Sequence, residues 1–223
     1  MANSQNDPHG MGTILNGGPP LQVAYGAIIL LHGRGGSAAE MIDLGGEISL
    51  PDLALLAPQA EKQTWYPYSF LAPISQNEPW LTSALNRVQG IVKQCEASGI
   101  PSERVAIAGF SQGACLASES VARHPRRYAA LVAFTGGLLG PPGSDLRHDG
   151  TLAETPALFS SGDPDPHVPW TRVEETAEQF RSMGASVRLE RFPGRPHTIL
   201  PEELETARTF LHSAFAGQKA PDA

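Results

Sequence analysis

Short, wholly apolar runs alternate with stretches of helical spacing along nearly all of this 223-residue chain, and that alternation leaves few folds open to it. Ala27-Ile28-Ile29-Leu30-Leu31 is unbroken by any polar residue, the pattern of a strand buried on both faces. Residues 53–57, 104–108, 129–134, 157–160 and 187–192 read as further strands. Residues 79–98, a stretch ending near His124, 170–183 and 201–215 carry apolar side chains at helical spacing. Ser37 is placed to cap a shorter helix through Ile48, which Gly45 and Gly46 weaken. Pro201 suits a first helical turn, and Glu202 with Glu203 suits its positive end. Strands and helices alternating at this length predict an α/β fold, a mostly parallel sheet with helices on both faces. Such a sheet binds ligands beyond the C-terminal ends of its strands.

Composition narrows the function. Hydrophobic residues make up 41% and charged ones 17%, which excludes disorder and coiled coil. The 23 Gly and 20 Pro imply many short elements joined by tight loops. The 16 Lys and Arg are scattered and the formal net charge is −7, so a nucleic-acid partner or a stable association with an anionic membrane is not expected. The expected organisation is one domain over 19–216, with a flexible N-terminal tail at 1–18 and a C-terminal tail at 217–223. The start of the chain lacks the basic-then-apolar pattern of a secretory signal, and no apolar run approaches the ~18–20 residues that cross a bilayer. A cytoplasmic protein is expected. Cys95 and Cys115 match neither a disulfide framework nor zinc-ligand spacing, so they read as buried free thiols, with no metal and no cofactor implied. A homodimer is left open.

Chemistry gathers at the strand ends. Gly109-Phe110-Ser111-Gln112-Gly113 fits G-x-S-x-G between a strand and a helix. A strand turning sharply into a helix strains its central residue, and flanking residues without a Cβ avoid the clash. Ser111 then projects above the sheet at the positive end of a helix. A serine hydroxyl needs a base and an orienting acid. Of the seven histidines, His9 sits in the polar tail, and His124, His148 and His212 are in polar or helix-end settings. His197 lies in the loop between the last strand and the last helix, where a third triad member falls in the chain order Ser, acid, His. Asp163 and Asp165 both follow an intervening strand, and both suit turns beside proline. Position alone does not choose between them.

Taken with Leu31-His32-Gly33-Arg34-Gly35, Gly162-Asp163-Pro164-Asp165-Pro166-His167-Val168-Pro169 and Gly194-Arg195-Pro196-His197, the elbow makes the chain resemble the phospholipase/carboxylesterase family of α/β-hydrolases, over about residues 25 to 215. The resemblance implies an α/β-hydrolase fold and a triad of Ser111, Asp165 and His197. It makes Asp165 the acid, Asp163 a neighbouring loop residue, and removes His167 as the base. It also implies an oxyanion hole from the backbone N–H groups of Arg34 and Gln112, worth about 3–4 kcal/mol each, with His32 fixing the loop. Relatives carry an apolar residue at the position of Arg34 followed by Gly-Asp, whereas this chain has Arg34-Gly35-Gly36-Ser37. Trp65-Tyr66-Pro67-Tyr68-Ser69-Phe70 reads as aromatic packing over the sheet, as a pocket wall formed by Trp65 and Tyr66, or as both. No long amphipathic stretch suitable for a large lid appears in residues 65–80 or 136–150. The expected function is a serine carboxylesterase acting on small, soluble short- to medium-chain esters. An acyl (protein) thioesterase or lysophospholipase is the near alternative, and a catalytically silent binding protein of the same fold is the distant one.

Overall fold

The computed structural model describes residues 7–217. The apolar run at its centre becomes β2 (Gly26–Leu31), with all six residues buried. Successive side chains of a strand point to opposite faces, and here both faces are covered. Ala27, Ile29 and Leu31 join one core with α2 (Trp80–Ala97), α3 (Gln112–Arg123) and α4 (Trp170–Ser182). Ile28 and Leu30 join the other with α1 (Ala38–Ile48) and α5 (Pro201–Ala216). That double burial is why the run has no polar member.

The remaining strands are β1 (Ile14–Gly17), β3 (Leu53–Pro58), β4 (Val105–Phe110), β5 (Ala130–Phe134), β6 (Pro156–Asp163) and β7 (Ser186–Pro193). They form one sheet in the order β1-β3-β2-β4-β5-β6-β7, parallel throughout except that β1 pairs antiparallel with β3. From β2 the chain first steps outward to β3, then returns to lay β4 on the other side of β2. Order reverses between β2 and β4, so the connections after these two strands leave in opposite directions and open a crevice at their C-terminal ends. Leu31 of β2 stands opposite Gly109 of β4 there, which puts the His32-Gly33-Arg34 loop beside Ser111.

Two expectations are corrected. Residues 7–18 are not a flexible tail. They supply β1 and bury His9 at 1% exposure, its backbone N–H donating to the Ser83 hydroxyl at 2.9 Å. The polar residues that made this stretch read as a tail spend their hydrogen bonds on the domain. The parts of the expected tails at 1–6 and 218–223 lie outside the described residues. Several elements are also longer than their apolar cores. β6 runs eight residues and pairs with β7 along its whole length, carrying Ser160, Ser161, Gly162 and Asp163 past the apolar stretch toward the site. Gly45 does not interrupt α1: a side chain there would meet Leu30 and Leu55, so glycine lets the helix lie close on the sheet, and Ser37 closes a capping box with Glu40. Residues 136–150 form no helix, and the segment between β3 and α2 holds only two short 3-10 turns.

Candidate active site

Ser111 sits between β4 and α3 with φ 53° and ψ −117°, a strained backbone for a residue with a side chain. Its amide donates to the Phe134 carbonyl of β5 at 2.9 Å, and its own carbonyl accepts from Cys115 at 3.0 Å. The glycines on either side are dictated by close approach of backbone. A Cβ on Gly109 would lie 2.4 Å from the Gly113 carbonyl, and one on Gly113 would lie 2.0 Å from the Leu31 carbonyl oxygen. The turn fits only because both positions lack that atom. The hydroxyl stands at the N-terminal end of α3, where the first amides of a helix have no intrahelical acceptor.

His197 Nε2 lies 2.9 Å from Ser111 Oγ, and His197 Nδ1 lies 2.8 Å from Asp165 Oδ2. The other carboxylate oxygen of Asp165 accepts from the amides of His167 and Val168, both at 2.9 Å. Burial pushes the Asp165 carboxyl up, but the hydrogen bonds from His197 and the two amides outweigh it and hold it below the usual carboxylate range. An ionised Asp165 can only accept, so Nδ1 carries the imidazole proton and Nε2 presents its lone pair to the serine hydroxyl. Asp163 points elsewhere, into an ion pair with Arg191. The His167 ring packs edge-on against that of His197, ring centres 4.7 Å apart, so His167 meets the chain of hydrogen bonds through its amide alone.

A cavity of about 470 Å³ opens beside Ser111 and His197. Tyr66, Pro67, Tyr68, Phe70, Cys115 and Val168 form much of its wall. Trp65 does not: its ring is fully buried beneath the loop, its indole N–H donating to the His32 carbonyl at 2.8 Å. Of the two aromatic residues expected to line a pocket, Tyr66 does so and Trp65 is core. Burial pushes the Cys115 thiol up to about 12 and the Cys95 thiol up to about 11, so both are protonated near neutrality.

The loop after β2 is held by groups distant in sequence. His32 Nε2 accepts the Ala60 amide at 3.1 Å, which leaves its proton on Nδ1 to donate to the Gly33 carbonyl at 2.7 Å. Burial holds its imidazole below the usual value, hence neutral. The Arg34 guanidinium donates to the carbonyls of Tyr66, Pro67 and Tyr68 at 3.0, 2.9 and 2.7 Å, tying this loop to the cavity wall. The Gln112 side chain accepts from the Trp65 amide at 2.9 Å and donates to the Tyr66 carbonyl at 2.8 Å, reaching the same segment from α3. Neither of these side-chain roles is readable from the local motifs. Among the described residues, no group of three or more His, Cys, Asp or Glu side chains is placed to hold a metal ion.

Residues 19–215 match the family model described as Phospholipase/Carboxylesterase. The chain belongs to that family. A solved phospholipase/carboxylesterase from Dyadobacter fermentans is 45% identical and superimposes with a TM-score of 0.87, over 90% of this chain and 96% of that one. Acyl-protein thioesterase 1 of Saccharomyces cerevisiae is 32% identical over 60% of each chain. A probable carboxylesterase of Oryza sativa subsp. japonica is 27% identical over 82% of this chain and 76% of its own. The expected α/β-hydrolase fold and the ester hydrolase class stand with this membership. No described helix is long and apolar enough to cross a membrane.

Proposed function

We propose that the chain is a serine carboxylesterase in which Ser111 attacks the ester carbonyl. The observation that carries this reading is the single imidazole of His197 placed 2.9 Å from Ser111 Oγ and 2.8 Å from Asp165. His197 Nε2 takes the serine proton and passes it to the departing alkoxide, while Asp165 holds the ring in the required tautomer and stabilises the imidazolium. Water then attacks the acyl-enzyme with His197 again as base. The backbone N–H groups of Arg34 and Gln112 receive the developing oxyanion. In support, Gln112 opens α3, and the two residues after Arg34 have their amides already engaged, Gly35 with the Gln63 carbonyl and Gly36 with that of Gly33. Donors fixed in this way need no reorganisation as charge develops.

Small substrates suit the site. The cavity is in the lower half of the ~300–1,000 Å³ range of small-molecule pockets, and its wall sets Tyr66, Pro67, Phe70 and Val168 beside the polar Arg34, Ser69 and Gln112. The acyl group would lie against Tyr66, Phe70 and Val168. Hydrolysis of p-nitrophenyl esters from C2 to C16 tests this, with the maximum expected at short to medium length and no jump in rate at the solubility limit. A maximum at the long end would overturn the size assignment.

Thioester hydrolysis is the second reading, favoured by the likeness to an acyl-protein thioesterase. The same residues would cleave it, and oxygen and sulfur esters of one acyl chain distinguish the two. A fluorophosphonate probe separates both from a silent binding protein, since only an active nucleophile gives labelling that depends on Ser111.

A further inference from the structure

The loop that carries His197 has a charged side chain folded beneath it. Arg195 is 1% exposed at its side chain. One terminal nitrogen of its guanidinium donates to the carbonyl of Pro196, at 3.0 Å, and to that of Thr198, the residues on either side of His197. The other donates to the Thr135 hydroxyl at 2.5 Å. Its Nε lies 3.2 Å from Oε2 of Glu203, a fully buried carboxylate in α5. Glu203 in turn accepts the Leu200 amide at 2.9 Å and the Ser160 hydroxyl of β6. Thr135 directly follows Phe134, whose carbonyl anchors the Ser111 amide. At φ 55° Thr135 has a left-handed backbone that a β-branched residue rarely adopts, with its own amide tied to the Ser160 carbonyl at 2.7 Å.

One guanidinium therefore grips the backbone on both sides of the base and the residue beside the nucleophile's anchor. We propose that Arg195, seated on Glu203 and Thr135, is the positioning residue that sets His197 at hydrogen-bonding distance from Ser111. This rests on the reading of Ser111 and His197 as nucleophile and base. An arginine suits the task because its planar fork donates in several fixed directions at once, whereas an ammonium is a single point. A buried charge is stable there only because Glu203 faces it. Precision is needed because a base works within about 2.6–3.2 Å of the proton it takes, and His197 rides on a loop with no regular structure of its own.

The test compares Thr135→Val, Thr135→Ser and Arg195→Lys with the unaltered protein. Active sites are counted by complete labelling with a fluorophosphonate, and kcat and KM for p-nitrophenyl butyrate are expressed per labelled site. Thr135→Val keeps the branched shape and removes the acceptor; Thr135→Ser keeps the acceptor. Thr135→Val and Arg195→Lys are expected to lower kcat and the labelling rate about 10- to 100-fold, as misplacement of a base does. KM should stay within about threefold, since the cavity wall is untouched, and Thr135→Ser should remain close to the unaltered protein. A purely structural role would lower Tm and the fraction of sites that label while leaving kcat per site unchanged, and that result overturns the proposal. Should Arg195→Lys fail to fold, Thr135→Val against Thr135→Ser decides alone. Absence of labelling at Ser111 in the unaltered protein would defeat the triad reading itself, a failure distinct from unchanged kcat in variants that do label.

Discussion

A methyl group on Gly113 would stand 2.0 Å from the Leu31 carbonyl oxygen and 2.6 Å from that of His32, both backbone atoms of the central strand and its loop. Nothing flexible can give way there, so Gly113→Ala is expected to destabilise the fold by at least about 3 kcal/mol, read from urea unfolding. Gly46 is a contrasting case, since a Cβ there meets nothing within 4 Å. Gly46→Ala should therefore stabilise α1 by about 0.5–1 kcal/mol. At the elbow itself, Ser111→Ala removes the hydroxyl without enlarging the side chain and should lower kcat by at least about 10³-fold in a protein that remains folded by circular dichroism. The two aspartates separate by their partners. Asp165→Asn leaves His197 facing an amide that can donate as well as accept, with an expected loss of about 10³–10⁴-fold. Asp163 serves Arg191 on the edge strand, and its change to Asn should cost far less. Equal losses in two folded variants would contradict the assignment of the acid.

Two neutral histidines brace the segment that carries the cavity wall. His9 Nδ1 accepts the Glu61 amide at 3.2 Å and its Nε2–H donates to the Trp65 carbonyl at 3.0 Å, while His32 holds Ala60 from the other side. Burial is the leading cause that lowers both imidazoles. The unfolded chain thus binds more protons than the fold at and below about pH 6.5, so stability rises with pH through this window. Their contribution is fully present above about pH 6.5 and is lost as pH falls through the lower values of the folded state. Tm should decline below that point, and His32→Gln should flatten the decline while lowering Tm throughout. The lowered carboxyl of Asp165 acts in a more acidic window: its contribution is present above about pH 3.9 and is lost as pH falls through its folded value. Arg34 joins the loop after β2 to the wall. Arg34→Met removes three hydrogen bonds to the carbonyls of residues 66–68 and should raise KM by about tenfold for the longer acyl chains that press on that wall. An unchanged KM across acyl lengths would show the wall to be held without it.

At the scale of the whole molecule, the sheet order brings together residues that the chain keeps far apart. Ser111 reaches the crevice because β4 returns to the far side of β2, and Asp165 and His197 arrive from the ends of β6 and β7. The sequence by itself determined what depends on neighbours along the chain. A run without polar residues must be buried on both faces, as β2 is; helical spacing placed α2, α4 and α5; and crowding at a tight turn explains why glycine flanks Ser111. The tertiary structure decided what depends on partners remote in sequence. His9 read as a tail residue because the stretch around it is polar and rich in glycine, yet it bonds to Trp65 across 56 positions. Trp65 and Tyr66 are adjacent, equally aromatic and both buried in the core, and only the packing of the loop lets Tyr66 also reach the cavity. Glu203 read as a charge at a helix start, and Arg195 as one residue of a loop motif. Their burial against each other is a property of the folded interior, because a carboxylate or guanidinium is driven out of an apolar core unless the opposite charge is already there.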